Sequence, residues 1–240
     1  RSLCVKLEER FPRFFRSDLS TTTYLPGLRT RVQPYTEESD SRLLEVGGVD
    51  RPLIENEEGF HYAGLDIDER PTCYEVYDEF ILQSVEQPIE GSFDVVFSTT
   101  VLEHVPDNRA AVRSIFGALA PGGQTFHYVP NKGHPYALVL RVVGNRAQRT
   151  ILRLISAGKP VFGGYPTYFD HCTVKGMKRI FEEAGFEDVE LTVYYSPTTY
   201  ALTLVPAYVA MACMMQTCRT LGLDYFASGF IVSARRPAEN

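Results

Sequence analysis

Seven short apolar runs separated by stretches of helical character constrain this chain more than any other feature. They are RLLEVG (42–47), HYAGLDI (61–67), CYEVYDEF (73–80), FDVVFST (93–99), TFHYVP (125–130), VELTVYY (189–195) and FIVSARR (230–236). Runs of this length, rich in β-branched and aromatic residues, read as strands, and strands alternating with helices build an α/β sheet with helices on both faces. Two of the intervening stretches carry helix signals. NRAAVRSIFGALAPGG (108–123) has apolar residues at three-to-four spacing and closes on Pro-Gly-Gly, and TVKGMKRIFEEAGF (173–186) opens on an N-cap Thr173 and closes at Gly185.

With 240 residues, 44% of them apolar and 22% charged, the chain suits one domain with a sizeable core. The expected organisation is a helical N-terminal segment over 1–40 and the α/β domain over 41–240. The first segment contains ERFPRFFRSDL (9–19), an amphipathic helix followed by a Thr- and Pro-punctuated connector to about Tyr35. The chain opens at Arg1, as a trimmed sequence would, and no basic start followed by an apolar run marks a leader. Its net charge of -6 argues against a generic binder of nucleic acid. The five cysteines are scattered, with no CxxC pair and no metal-ligand spacing. That usage leads to the expectation of a reducing cytoplasm and of no metal site.

An insertion over about 132–170 follows the fifth strand, at a strand's carboxyl end, and is expected to form a helical lid. It carries Lys132, Arg141, Arg146, Arg149, Arg153 and Lys159 with no acidic residue among them. A basic helix of that kind suits an anionic acceptor, a peripheral membrane or lipid contact, or merely a solvated face. The most apolar stretch, Tyr200 to Met215, is short and interrupted by Pro206. It reads as a core or pocket helix rather than a membrane span.

Function enters at the turn after the first strand, EVGGVDRP (45–52). In open α/β sheets, ligands lie beyond the carboxyl ends of the strands, where Gly47 and Gly48 let backbone come close. About twenty residues on, YAGLDID ends the second strand at Asp66, whose carboxylate can accept from both hydroxyls of a ribose. A dinucleotide loop would need G-x-G-x-x-G, but Val49 and Pro52 stand at its second and third glycines. A nicotinamide-dependent oxidoreductase is therefore disfavoured.

GSFDVVFSTTVLEHVPD (91–107) followed by ALAPGGQTFHYVPN (118–131) resembles class I S-adenosylmethionine-dependent methyltransferases, of the subgroup with an LEH signature. The resemblance covers roughly Arg42 to Gly185. It implies a Rossmann-like seven-stranded mixed sheet with its last strand antiparallel, and S-adenosylmethionine as cofactor. By the same resemblance Glu45, Gly47 and Gly48 flank the methionine moiety, Asp66 holds the ribose, Ile67 lies beside the adenine and Asp78 is the nearest match near the adenine amine. The backbone of Ser98, Thr99 and Thr100 lines the methionine moiety, and Leu102, Glu103 and His104 begin the following helix. EVGGVDRP departs from the family's acid-x-Gly-x-Gly-x-Gly, with Arg51 at the third glycine and Pro52 in the first turn of an unusually short helix before Gly59.

Methyl transfer to an alcohol needs alignment and a proton acceptor. His134 and His171 are the catalytic candidates, because both follow strand five near the expected pocket mouth and imidazole titrates near neutral pH. Asp170 or a backbone carbonyl could orient either ring. His127 reads as a core residue and His61 lies at the wrong end of the sheet. Tyr128, Tyr165 and Tyr168 are candidates for lining the acceptor site. The expected reaction is methylation of a small molecule at oxygen, such as a sugar, polyketide or lipid-linked metabolite. The non-enzymatic alternative is a methyltransferase-like partner subunit whose altered loop no longer binds cofactor.

Overall fold

The computed structural model of the chain describes residues 24–49, 51–135, 137, 165–196 and 205–238. In chain order the elements are helix α1 (Tyr24–Glu37), β1 (Arg42–Val46), β2 (His61–Asp66), helix α2 (Cys73–Val76), β3 (Glu79–Leu82), β4 (Phe93–Thr99), a 3-10 turn (Leu102–His104) and helix α3 (Asn108–Ala118). There follow β5 (Leu119–Pro130), helix α4 (Val174–Glu183), β6 (Glu187–Tyr194), helix α5 (Val205–Thr220) and β7 (Gly229–Arg235). One seven-stranded sheet runs β3-β2-β1-β4-β5-β7-β6. β7 is antiparallel to both β5 and β6, while β1 to β5 are parallel. The expected Rossmann-like mixed sheet with an antiparallel last strand is the one observed.

The strand order reverses between β1, which pairs with β2 on one side and β4 on the other. That reversal opens a crevice at the carboxyl ends, because the connections on either side leave toward opposite faces. On one face, Ala111, Val112 and Ile115 of α3 and Met177, Ile180 and Phe181 of α4 pack on Val46, Val96 and Val129. On the other, Leu28 and Val32 of α1 pack with Val95, Phe97, Phe126 and Tyr128. Past an irregularity between Phe93 and Val95, alternation along β4 sends Val95 and Phe97 toward α1 and Val96 toward α3 and α4.

Two termini follow their signals. Asp107 accepts from the N–H groups of Arg109 and Ala110 at the start of α3, and Thr173 accepts from Gly176 N at the start of α4. Three expectations are corrected. CYEVYDEF is not one strand: Cys73–Val76 is a helical turn, Tyr77 turns the chain extended, and only Glu79–Leu82 pairs with β2. Asp78 fixes that boundary by exchanging backbone and side-chain bonds with Tyr62. The stretch expected to be a connector is helix α1, which buries Leu28 and Val32 one turn apart. No helix forms among the described residues between β1 and β2, so Pro52 lies in an irregular loop. In addition, α3 stops at Ala118 and β5 begins before Pro121.

ERFPRFFRSDL and most of the 132–170 lid, including its basic run from Arg141 to Lys159, lie outside the described residues. Pro206 stands in the first turn of α5, where a missing N–H is tolerated. Tyr208, Ala212, Met215 and Cys218 of that helix form a separate apolar cluster with Tyr195 and Ala227. No helix among the described residues is long and apolar enough to cross a membrane.

Candidate active site

A cavity of about 380 Å³ opens at the carboxyl ends of β1, β2, β3 and β4. Val46 and Gly47 supply its wall from β1, Leu65 to Ile67 from β2, Gln83 to Glu86 from the chain after β3, and Thr100, Val101 and His104 from the chain after β4. Tyr165, Pro166 and Tyr168 close one side. The wall is mainly apolar with a few polar groups, as small-molecule sites usually are.

Each wall follows from local chemistry. Gly47 has φ +84°, and a Cβ there would lie 2.1 Å from Val101 Cγ2, so only glycine lets the two loops meet. Its N–H donates to Leu65 O at 2.7 Å, joining β1's end to β2's. Asp66 ends β2 facing the cavity, its Oδ1 accepting from Asp68 N at 2.9 Å, and burial holds its carboxyl above the ordinary carboxylate range. Thr100, at φ +56°, gives its N–H to Tyr128 O and turns the chain off β4. His104 follows, its Nδ1 donating to Pro166 O at 3.0 Å. The strap is fixed further where Tyr168 N and Phe169 N donate to Glu103 O and where the Tyr165 hydroxyl bonds Asp68.

Behind the Gly47 wall, Glu45 is 3% exposed and fully engaged. Its carboxyl accepts from the Tyr62 hydroxyl, the Tyr77 hydroxyl at 3.1 Å and Leu53 N at 3.1–3.2 Å. Burial pushes it up to about 7, against the lowering effect of those bonds. Gly48 sits over this cage, and a Cβ there would lie 2.0 Å from the Tyr77 oxygen. The Gly47–Leu53 loop is therefore held by a carboxyl rather than continued as a helix.

Of the residues singled out in sequence, Gly47, Asp66, Ile67, Thr100, His104, Tyr165 and Tyr168 are brought together around the cavity. Glu45 and Gly48 lie behind it. Ser98 points to the opposite face, where its Oγ bonds His127 Nδ1 at 2.7 Å. His127 is a buried core residue, lowered by burial to about 3. Thr99 faces α1. Asp78 is displaced to the amino end of β3, bonded to Tyr62 N and Asn56, because β3 begins one residue after it. Gln83 to Glu86, at the other end of that strand, occupy the cavity instead.

Tyr128 is buried against Tyr24, ring centroids 3.6 Å apart, rather than in the cavity wall. Neither proposed histidine lines the cavity. His134 is buried beside Ser196, and burial lowers it to about 4. His171 Nδ1 lies 2.7 Å from Asp170 Oδ1, while Asp170 Oδ2 accepts from Asn108 N at the start of α3. That pair belongs to the junction of α3 and α4.

The role of one residue escaped the sequence reading. Glu103 is 5% exposed; its Oε1 lies 3.7 Å from His104 Nε2, and its Oε2 has no hydrogen-bond partner among the described residues. Burial raises its carboxyl to about 8. An acid between Leu102 and Val105, both buried, was the available signal.

Residues 16–191 match a family described as a methyltransferase domain. The ubiquinone biosynthesis O-methyltransferase of Ralstonia nicotianae is 31% identical over 130 residues, covering 53% of this chain and 50% of that protein. The chain spans about a third to a half of the length of the curated relatives it matches. Among solved structures, an S-adenosylmethionine-dependent methyltransferase from Archaeoglobus fulgidus superposes with TM-score 0.55 at 16% identity, covering 88% of this chain and 94% of that one. The cyclase SpnF superposes with TM-score 0.56 at 15% identity, covering 90% and 81%. Likeness at that distance shows the fold and leaves the reaction to the site. The family match, running from before β1 into β6 and taking in the whole cavity, establishes that this chain belongs to the class I S-adenosylmethionine-dependent methyltransferases.

Proposed function

We infer that the cavity binds S-adenosylmethionine and that the chain transfers its methyl group to an oxygen of a small molecule. The observation that carries the reading is the juxtaposition of Gly47, Asp66 and Thr100 around one chamber at the strand-order reversal. The chamber's ≈ 380 Å³ lies within the roughly 300–1,000 Å³ usual for cofactor sites. Bound there, S-adenosylmethionine supplies an electrophilic sulfonium methyl and leaves as a neutral thioether.

The chain's own residues have separate tasks. Asp66 accepts from the ribose hydroxyls, Ile67 and Val85 offer apolar surface to the adenine, and Gly47 brings bare backbone to the methionine end. The strap at Tyr165 to Tyr168 excludes water from one side. These residues fit a cofactor without phosphate, since among the described residues neither a Lys or Arg side chain nor a glycine-rich pyrophosphate turn lines the chamber. Oxygen as the methylated atom is favoured by the likeness to a ubiquinone biosynthesis O-methyltransferase.

Asp66→Ala tests the site. Loss of a charge-assisted pair of bonds to the ribose lowers affinity for S-adenosylmethionine about tenfold or more. Unchanged affinity, measured by equilibrium dialysis, would remove Asp66 from the site. If wild-type chain binds no S-adenosylmethionine at all, the reading gives way to a cofactor-free partner subunit.

A further inference from the structure

We propose that Thr99 and Glu103 form the subsite for the acceptor's hydroxyl group, and that the Glu103 carboxylate takes its proton. The proposal rests on the methyl-transfer reading above and deepens it on the acceptor's side, where neither histidine reaches the cavity.

The geometry comes from the carboxyl end of β4. Thr99 shares its face of the strand with Val95 and Phe97, so its side chain points toward α1. Tyr128, its cross-strand neighbour, points the same way and stacks on Tyr24 at 3.6 Å. Thr99 Oγ1 is buried there without a hydrogen-bond partner among the described residues. Glu103, four residues on, acts electrostatically on the Tyr24 and Tyr128 hydroxyls, and its Oε2 is likewise buried and unpartnered among the described residues. Buried polar atoms are almost always paired, so two orphaned ones four residues apart at the end of one strand call for a further partner, and a single bridging group supplies it to both. A hydroxyl does so, donating to the carboxylate and accepting from the threonine.

The turn that carries Glu103 is rigid, because its carbonyl takes two N–H groups from the strap and His104 is held on Pro166 O. His104 lines the cofactor cavity while Glu103 lies beside it. The proposed subsite therefore adjoins the cavity, so that the acceptor oxygen meets the methyl group held there. In the step assigned to Glu103, the acceptor's O–H bond breaks, the proton passes to the carboxylate oxygen, and the electron pair stays on the acceptor oxygen as the nucleophile. The carboxylic acid so formed returns its proton to solvent after product leaves.

Charged or titratable groups facing Glu103 are His104 from its own turn, Tyr24 from α1, Tyr128 from β5 and Cys172 before α4. Burial raises both tyrosines and the cysteine, which leaves them neutral where Glu103 titrates at about 8. The carboxylate therefore grows in as pH rises through that value.

Calorimetry on the full chain saturated with S-adenosylhomocysteine tests the proposal, using phenol, catechol and glycerol as hydroxyl probes. Wild type, Glu103→Gln and Thr99→Val are first titrated with S-adenosylhomocysteine itself. Equal affinity in all three shows that each variant is folded and its cofactor cavity intact. At least one probe then binds wild type more tightly as pH rises through about 8, and its affinity falls about tenfold in each variant, with the pH dependence gone in Glu103→Gln. Binding of no probe to wild type, or binding that neither variant nor pH changes, overturns the proposal. Failure of wild type to bind S-adenosylhomocysteine instead overturns the cofactor reading, and this proposal with it.

Discussion

Glu45 and Glu103 are two carboxyls buried at the carboxyl ends of neighbouring strands, and the protein treats them oppositely. Glu45 has two tyrosine hydroxyls and a backbone N–H closing around it. Glu103 has one oxygen near His104 and the other without a partner among the described residues. Both are pushed up by burial, to about 7 and about 8. The same desolvation is offset by three partners in the first case and by a single backbone N–H, that of Glu103 itself, in the second. A satisfied buried acid holds structure, whereas an orphaned one costs stability and is retained where chemistry uses it.

The largest effect is expected at Glu45. Glu45→Ala strands the Tyr62 and Tyr77 hydroxyls and Leu53 N, and is expected to cost about 3 kcal/mol or more of unfolding free energy. Urea unfolding checks this, and a loss under about 1 kcal/mol would mean the cage is dispensable. Glu103→Gln is expected to leave stability unchanged or higher while lowering kcat/KM on the order of a hundredfold, the usual worth of a positioned base. Steady-state kinetics alongside a melting curve separates the two. A variant that unfolds early with normal turnover would reverse the roles assigned here.

Gly48→Ala should be intermediate in stability. Its methyl group would press on the Tyr77 oxygen and on Glu45 Oε2 at 2.9 Å, so the cage must open at a cost of about 1–3 kcal/mol. The smallest effect, taken per pH unit, is that of pH. The folded values of Glu45 and Glu103 lie above the ordinary 4.5, so both stabilise below that pH and withdraw stability as pH rises through about 7 and 8. His127 and His134 lie below the ordinary 6.5, at about 3 and 4, so they add stability as pH rises toward 6.5. The opposing pairs offset each other between pH 4.5 and 6.5 and the carboxyls alone act above it. Stability should then fall from pH 6.5 to 8, by on the order of 1 kcal/mol per group and pH unit. Glu103→Gln should flatten the upper part of that fall in a pH series of denaturant midpoints.

The parts legible in sequence were those set by local pattern. β1, β2 and β4 are near-continuous buried runs, and α3 and α4 carry side-chain caps, so their positions follow from burial and N-cap chemistry. β3 is a half-exposed edge strand of four residues, and no alternation separates it from the turn of helix before it. α1 was obscured by Pro26 and Pro34, its helical spacing resting on Leu28 and Val32. The site divides the same way. Gly47, Asp66 and Thr100 follow directly from strand ends, so sequence finds them. Asp78 depended on where β3 starts, and His134 and His171 on how distant segments dock. Glu103 was hidden by the signature that contains it, since LEH says nothing of which member of the turn is left unsatisfied.

The most direct test of this division of labour is the affinity for S-adenosylhomocysteine, measured by calorimetry in wild type, Glu45→Ala and Glu103→Gln at pH 7. Wild type and Glu103→Gln should bind equally, with Glu45→Ala at least tenfold weaker because the Gly47 loop has lost its anchor. Equal binding by Glu45→Ala, or loss of binding in Glu103→Gln, would contradict it.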